Sequence, residues 1–143
     1  MDADHNGNRA TRRSHTGVLI FFNKAPIQWY SNKQNTVDTS TFSSEFIALK
    51  TATEFVEALW YKLRVLGILI EGPTNMFCDN EAVYKNASTP ESTLKKNNIS
   101  ICYHKCRYYV ADRVDQIAKE GTATNFDHIV HIRCETLLDK FTY

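Results

Sequence analysis

The strongest hydrophobic pattern in the chain lies between Thr39 and Leu66. Leu49, Ala52, Val56, Leu59, Leu63 and Leu66 follow one another at steps of three and four, with no Gly or Pro in the interval. That spacing predicts one long amphipathic helix with a single apolar stripe. Thr39, Ser40, Thr41 and Ser43 crowd its start, where hydroxyls cap free N–H groups, and Gly67 ends it. Carried one turn towards the N-terminus, the stripe lands on Glu45. Two readings follow for that carboxylate. Either it sits in an exposed first turn and complements the helix dipole, or it is drawn inward and needs a cation or a polar cleft.

The pattern elsewhere is shorter in period. Met1 to Thr16 is polar and reads as a loop carrying Arg9, Arg12 and Arg13. Val18 to Phe22 is apolar on both faces, as in a central strand, and Ile27 to Ser31 alternates. Turns at Asn23–Pro26 and Asn32–Asn35, with a short strand at Thr36–Thr39, make two hairpins ahead of the long helix. Thr74 to Asp79 predicts a strand parallel to an earlier one, and Glu81 to Ala87 a short helix. Ser88 to Asn98 is a polar loop with Lys95 and Lys96. Ile99 to Ala111 predicts a helix packed through Ile101, Tyr108 and Val110, and Val114 to Ala118 a last strand. Thr122 to Tyr143 predicts a terminal helix built on Phe126, Ile129, Ile132, Leu137 and Leu138. The expected fold is α/β, a mixed sheet flanked by helices.

Composition narrows the function rather than the fold. At 143 residues, 43% hydrophobic and 23% charged, the chain is one ordinary globular domain. A net charge of +1 excludes a global basic field, so any nucleic-acid contact rests on local groups such as Arg12, Arg13, Lys95 and Lys96. Cys78, Cys102, Cys106 and Cys134 include no CxxC pair, which suits reduced thiols in an intracellular protein. Cys102, His104 and Cys106 point different ways on a helix, which disfavours a metal site there. No apolar run approaches membrane-spanning length.

Three acids stand out by placement. Asp79 ends a strand, Glu45 continues the helix stripe, and Asp2 precedes the first hairpin. Carboxylates gathered from a strand end and a helix are what hard divalent cations require. Each also has an ordinary role: Asp2 as a solvated terminal charge, Asp79 as a helix N-cap, Glu45 as a dipole complement.

The words around them carry a resemblance. Asp2-Ala3-Asp4 is followed by Thr11-Arg12-Arg13-Ser14 with Thr16-Gly17. Ala25-Pro26-Ile27, Trp29, Ser31 and Lys33-Gln34 come next, then Ser43-Ser44-Glu45-Phe46-Ile47-Ala48-Leu49. Glu57-Ala58-Leu59-Trp60, Phe77-Cys78-Asp79-Asn80 and Tyr103-His104 complete the set. In this order and spacing the chain resembles the ribonuclease H domain of copia-type LTR-retrotransposon polyproteins. The resemblance implies a ribonuclease-H-like sheet in which Asp2, Glu45 and Asp79 hold two Mg²⁺ or Mn²⁺ ions. It further implies cleavage of the RNA strand of an RNA–DNA hybrid by two-metal hydrolysis, with the reverse transcriptase region of the same polyprotein as a partner. Ser100 stands where the family often has a fourth acid. Near the end, His128 replaces an acid and Ile132 a lysine, and most of the family's first strand lies upstream of Asp2. A catalytically inactive remnant that at most binds nucleic acid is the alternative.

Overall fold

The structure, a computed structural model, describes residues 2–4, 13–23, 25–35, 40–70, 72–78, 80–89, 99–119 and 129–132, with the backbone alone at 2–4, 119 and 129–132. Its elements in chain order are β1 (Asp2–Asp4), β2 (His15–Phe22), β3 (Ala25–Lys33), α1 (Thr41–Val65), β4 (Thr74–Cys78), α2 (Glu81–Ser88), α3 (Ser100–Ala111), β5 (Asp115–Lys119) and β6 (Ile129–Ile132). The fold is mixed α/β, as expected. No described helix is long and apolar enough to cross a membrane.

The long helix forms where its stripe predicts. Ser40 is the N-cap, its side chain accepting from the Ser43 N–H. At the far end Ile68 N–H bonds Leu63 O and Gly67 N–H bonds Arg64 O, with Gly67 at φ 72°. These two bonds are a Schellman motif, and the left-handed turn it needs is least strained in glycine. Leu49, Ala52, Val56 and Leu63 are buried, whereas Leu66 is 72% exposed because it caps the helix instead of continuing it.

The strands form one sheet with order β1-β2-β6-β4-β5, and β3 on the outer edge of β2. Asp2–Asp4, expected as loop, is a strand paired antiparallel to β2, with Asp2 opposite Gly17 and Asp4 opposite His15. The β2–β3 hairpin is longer than the apolar run suggested and carries a register shift at Ile20/Phe21 that brings Pro26 opposite Phe21. Proline is tolerated there because β3 is an edge strand. The strand expected at Thr36–Thr39 lies outside the described residues. β4 is parallel to β5 and antiparallel to β6.

The largest correction concerns the tail. Where a terminal helix was expected, Ile129–Ile132 is a strand, parallel to β2 and lying between β2 and β4. Ile-Val-His-Ile is dominated by β-branched residues that suit a pleated strand, and a place in the sheet overrides the weak helical spacing.

The core lies between the sheet and α1, α2 and α3. Ile20, Phe46, Leu49, Val56, Met76, Val83 and Ile99 are at most 2% exposed. Trp60 Nε1 donates to Thr74 Oγ1 at 2.8 Å and so ties α1 to β4. In α3 the inward face is Ile99, Tyr103 and Cys106, while Ile101 and Tyr108 are 80% and 65% exposed. Steps of four and three from Ile99 fix that face, and Ile101, two residues on, is turned away. Val110 packs against the core, as expected. Lys105 of α3 and Lys50 of α1 both pair with Glu54, at 2.8 and 2.9 Å. Burial works to raise the Glu54 carboxyl, but the two ammonium groups outweigh it and hold it below its ordinary value.

Candidate active site

Glu45 is 5% exposed. The first turn of α1 contains no acid, so the exposed dipole-complement role is excluded and the inward extension of the stripe is correct. The residues around the head of α1 are polar and tied to one another. Gln34, buried just after β3, donates through Nε2 both to Ser44 O and to Thr16 Oγ1, each at 2.9 Å. Ser44 Oγ in turn donates to Thr41 O at 2.9 Å. Thr16 lies opposite Ala3, in the register between Asp2 and Asp4. One glutamine amide therefore pins the head of α1 to the part of β2 that carries β1. Ser14, Thr16, Gln34, Ser43 and Ser44 are all buried. A polar pocket of this kind is the surrounding a buried carboxylate requires.

Register fixes the far side. Met76 and Ile20 share the row of Val130. β4 runs opposite to β2, so Cys78 falls in the row of Val18. The next row is that of Gly17 and Asp2. A Cβ added at Gly17 would meet nothing within 4 Å, on the sheet face turned away from the buried Thr16 and Val18.

The expected site residues divide accordingly. Asp2 is placed by its backbone in β1, and Glu45 is placed in full. Asp79, Arg12, Lys95 and Lys96 lie outside the described residues. The α2 N-cap is Asn80, whose Oδ1 accepts from the Ala82 and Val83 N–H groups, so the cap does not fall to Asp79. Ser100 is the half-buried first residue of α3, and Arg13 is half-buried ahead of β2. Among the described side chains no three His, Cys, Asp or Glu groups gather to hold a metal ion. Of the three expected ligands, only Glu45 has a described side chain.

Sequence reasoning missed two features. Gln34 was legible only as part of a family word, since nothing local marks a loop glutamine as a clasp. Asp115, 2% exposed, falls within the strand expected at Val114 to Ala118, and nothing local sets it apart. Burial pushes its carboxyl up to about 7, with the Glu57 charge adding to the shift and the Thr53 hydroxyl opposing it. Neither Asp115 oxygen has a hydrogen-bond partner among the described residues. Thr53 Oγ1 donates instead to Leu49 O at 3.1 Å.

Comparison with known proteins adds an independent line. No protein-family model matches the chain, and no solved structure matches it. Over 127 residues, 87% of its length, it is 32% identical to the retrovirus-related Pol polyprotein from transposon TNT 1-94 of Nicotiana tabacum. It is 28% and 27% identical, over 76% of its length, to the Pol polyproteins from transposons RE1 and RE2 of Arabidopsis thaliana. A shorter match, 41% over 63 residues, is to the secreted RxLR effector protein 161 of Plasmopara viticola, covering 44% of this chain and 43% of that protein. The chain spans 9%, 7% and 8% of the three polyproteins. The chain is thus homologous to a short segment of retrotransposon Pol polyproteins.

Proposed function

We propose that this segment is a ribonuclease-H-like nuclease domain acting on the RNA strand of RNA–DNA hybrids. The observation that supports the proposal is the buried Glu45 at the head of α1, which Gln34 ties through Ser44 O and Thr16 Oγ1 to β2, the strand that pairs with β1. Asp2, Glu45 and Asp79 would hold Mg²⁺ or Mn²⁺. Such ions supply a bound water as nucleophile and stabilise the charge that develops on the phosphodiester. The protein's own share is to carry Glu45 on a helix head that the Gln34 clasp fixes against β2. Arg12, Arg13, Lys95 and Lys96 would meet backbone phosphates, and the hybrid would be told from DNA by groove shape and 2′-OH contacts.

A second reading, a nucleic-acid-binding module without turnover, has one observation in its favour. The first residue of α3 is Ser100, a neutral hydroxyl where a fourth acid would strengthen metal binding.

Metal response tests the shared site directly. Mn²⁺ or Mg²⁺ is expected to raise the melting temperature, because only the folded chain gathers the ligands. At a hundredfold excess over Kd the gain is about 2.7 kcal/mol. Glu45→Gln is expected to abolish the response, as is Asp79→Asn. A wild-type response retained in both variants would show that these acids do not form one site.

A further inference from the structure

We propose that the outer edge of β3 pairs antiparallel with the same edge of a second copy of this chain, with Trp29 of each copy opposite Ser31 of the other. The inference does not depend on metal binding or catalysis.

The phase of the β2–β3 ladder fixes which groups reach that edge. Gln34 N–H donates to Ser14 O at 2.7 Å. In an antiparallel pair, residues that exchange such bonds alternate with residues that do not. Carried along the register, Asn32 with Thr16 and Tyr30 with Val18 turn their N–H and C=O groups towards β2. Trp29, Ser31 and Lys33 therefore turn theirs outwards. The Lys33 N–H is already taken, by Asn32 Oδ1 at 2.9 Å. Ile27 is skipped at the register shift, where Ile20 faces Gln28 and Phe21 faces Pro26. No described strand pairs with this side of β3. Trp29 and Ser31 thus carry four outward groups, two donors and two acceptors, in one uninterrupted stretch.

Those groups are self-complementary. A two-fold axis beside Tyr30 brings Trp29 of each copy opposite Ser31 of the other. Each Trp29 N–H then meets a Ser31 O, each Ser31 N–H meets a Trp29 O, and every outward group of the pair is used. Moving the axis by one residue spoils this. Trp29 opposite Trp29 calls on the skipped Ile27, and Ser31 opposite Ser31 calls on the Lys33 N–H that Asn32 already holds.

The side chains point to the same partner. Tyr30 packs on Phe55 of α1 with ring centroids 5.0 Å apart, so Trp29 and Ser31 lie on the sheet face turned away from that helix. Trp29 is 79% exposed and Ile27 43%. In the paired register the two Trp29 rings lie diagonally across the junction, within reach of one another. No charged residue stands between Ala25 and Asn32 of that strand except Lys24 and Lys33 at its two ends, so no like charges meet at the axis. Edge strands that stay single are blunted by charge or by shortness. β5, at the other end of the sheet, has five residues and is bounded by Asp115 and Lys119. In β3, nine residues long, Pro26 and Lys33 flank the free stretch and do not interrupt it.

Sedimentation of the 143-residue chain over a concentration series tests this. The mass is expected to rise from one chain to two. Amides of Trp29 and Ser31 are expected to gain protection from exchange as the dimer forms, while those of Tyr30 and Asn32 are protected throughout. Ser31→Pro removes an outward N–H that the ladder to β2 does not use. It takes away two of the four bonds at the axis and is expected to raise the dimer dissociation constant roughly tenfold or more. Trp29→Lys, which sets a charge on the edge, is expected to abolish the dimer and leave the monomer folded. Tyr61→Lys, at a 71% exposed aromatic on α1, is the control and is expected to leave the dimer intact. A chain that stays single at every concentration would overturn the inference and leave the edge to an extended segment of another protein. So would a dimer in which the Trp29 and Ser31 amides stay labile, one that survives Trp29→Lys, or one that Tyr61→Lys dissolves equally.

Discussion

Asp115→Asn is expected to stabilise the protein at pH 8 by about 2 kcal/mol or more, and to change it little near pH 4. Burial raises the folded-state carboxyl to about 7, while the unfolded chain titrates near the ordinary value of about 3.9. The native state therefore binds the proton more tightly than the unfolded state does. Stability is full below about pH 4, falls as pH rises towards 7, and is flat above that. Three units correspond to about 4 kcal/mol as an upper figure, reduced in the variant because a carboxamide also needs partners. The surroundings reinforce the cost of charge. Burial, above all, pushes the Cys106 thiol far up, with the Asp115 charge adding to it. Burial also pushes up Tyr109, whose hydroxyl is engaged by Glu57. Denaturant melts of both proteins from pH 4 to pH 8 check the expectation. Parallel pH profiles would show that Asp115 titrates normally in the fold.

Phe46→Ala is expected to cost about 3–5 kcal/mol, the usual range for emptying a fully buried aromatic site. Phe46 is 0% exposed, with ring centroids 5.0 Å from Phe42 and 5.9 Å from Tyr103. It fills the space between α1 and α3, and Tyr103 is held further by Arg107, which lies 5.1 Å over its ring. Small domains are stable by only about 5–15 kcal/mol, so the variant would lose a large part of its margin. Its urea midpoint should fall with little change in slope. Because Phe46 follows Glu45 directly, the same cavity should loosen the carboxylate and weaken the metal response. Phe46→Leu, which keeps more of the volume, should recover much of both.

What was legible in the sequence follows from how local each signal is. The long helix was read to within two residues at its start, because its stripe, hydroxyl cap and terminal glycine agree. The β2–β3 hairpin and the β4 and β5 strands were likewise marked by turn residues and apolar runs. β1 was not, since Asp-Ala-Asp has no strand character and is made a strand by pairing with His15–Gly17. The tail was misread for the same reason. Apolar residues spaced for a helix sit within a short β-branched run, and only the lane between β2 and β4 decides between the two. In the site, Glu45 was visible as an acid on an apolar stripe. Gln34 was not, because its role depends on Thr16 and Ser44 meeting across eighteen and ten residues of sequence. The raised carboxyl of Asp115 was also hidden, since burial from α1 and α3 is a property of packing.

The central claim, that Glu45 belongs to a nuclease centre, is tested most directly by cleavage of a labelled RNA–DNA hybrid across a Mn²⁺ titration. The wild-type chain is compared with Glu45→Gln, which removes the charge and keeps the shape. Slow cleavage of the RNA strand, needing high Mn²⁺, is expected from the wild type. Ser100→Asp is expected to lower the Mn²⁺ required, and Glu45→Gln to abolish turnover while the hybrid still binds. No cleavage above the Glu45→Gln control, with or without Ser100→Asp, would contradict the account and leave a nucleic-acid-binding module without turnover.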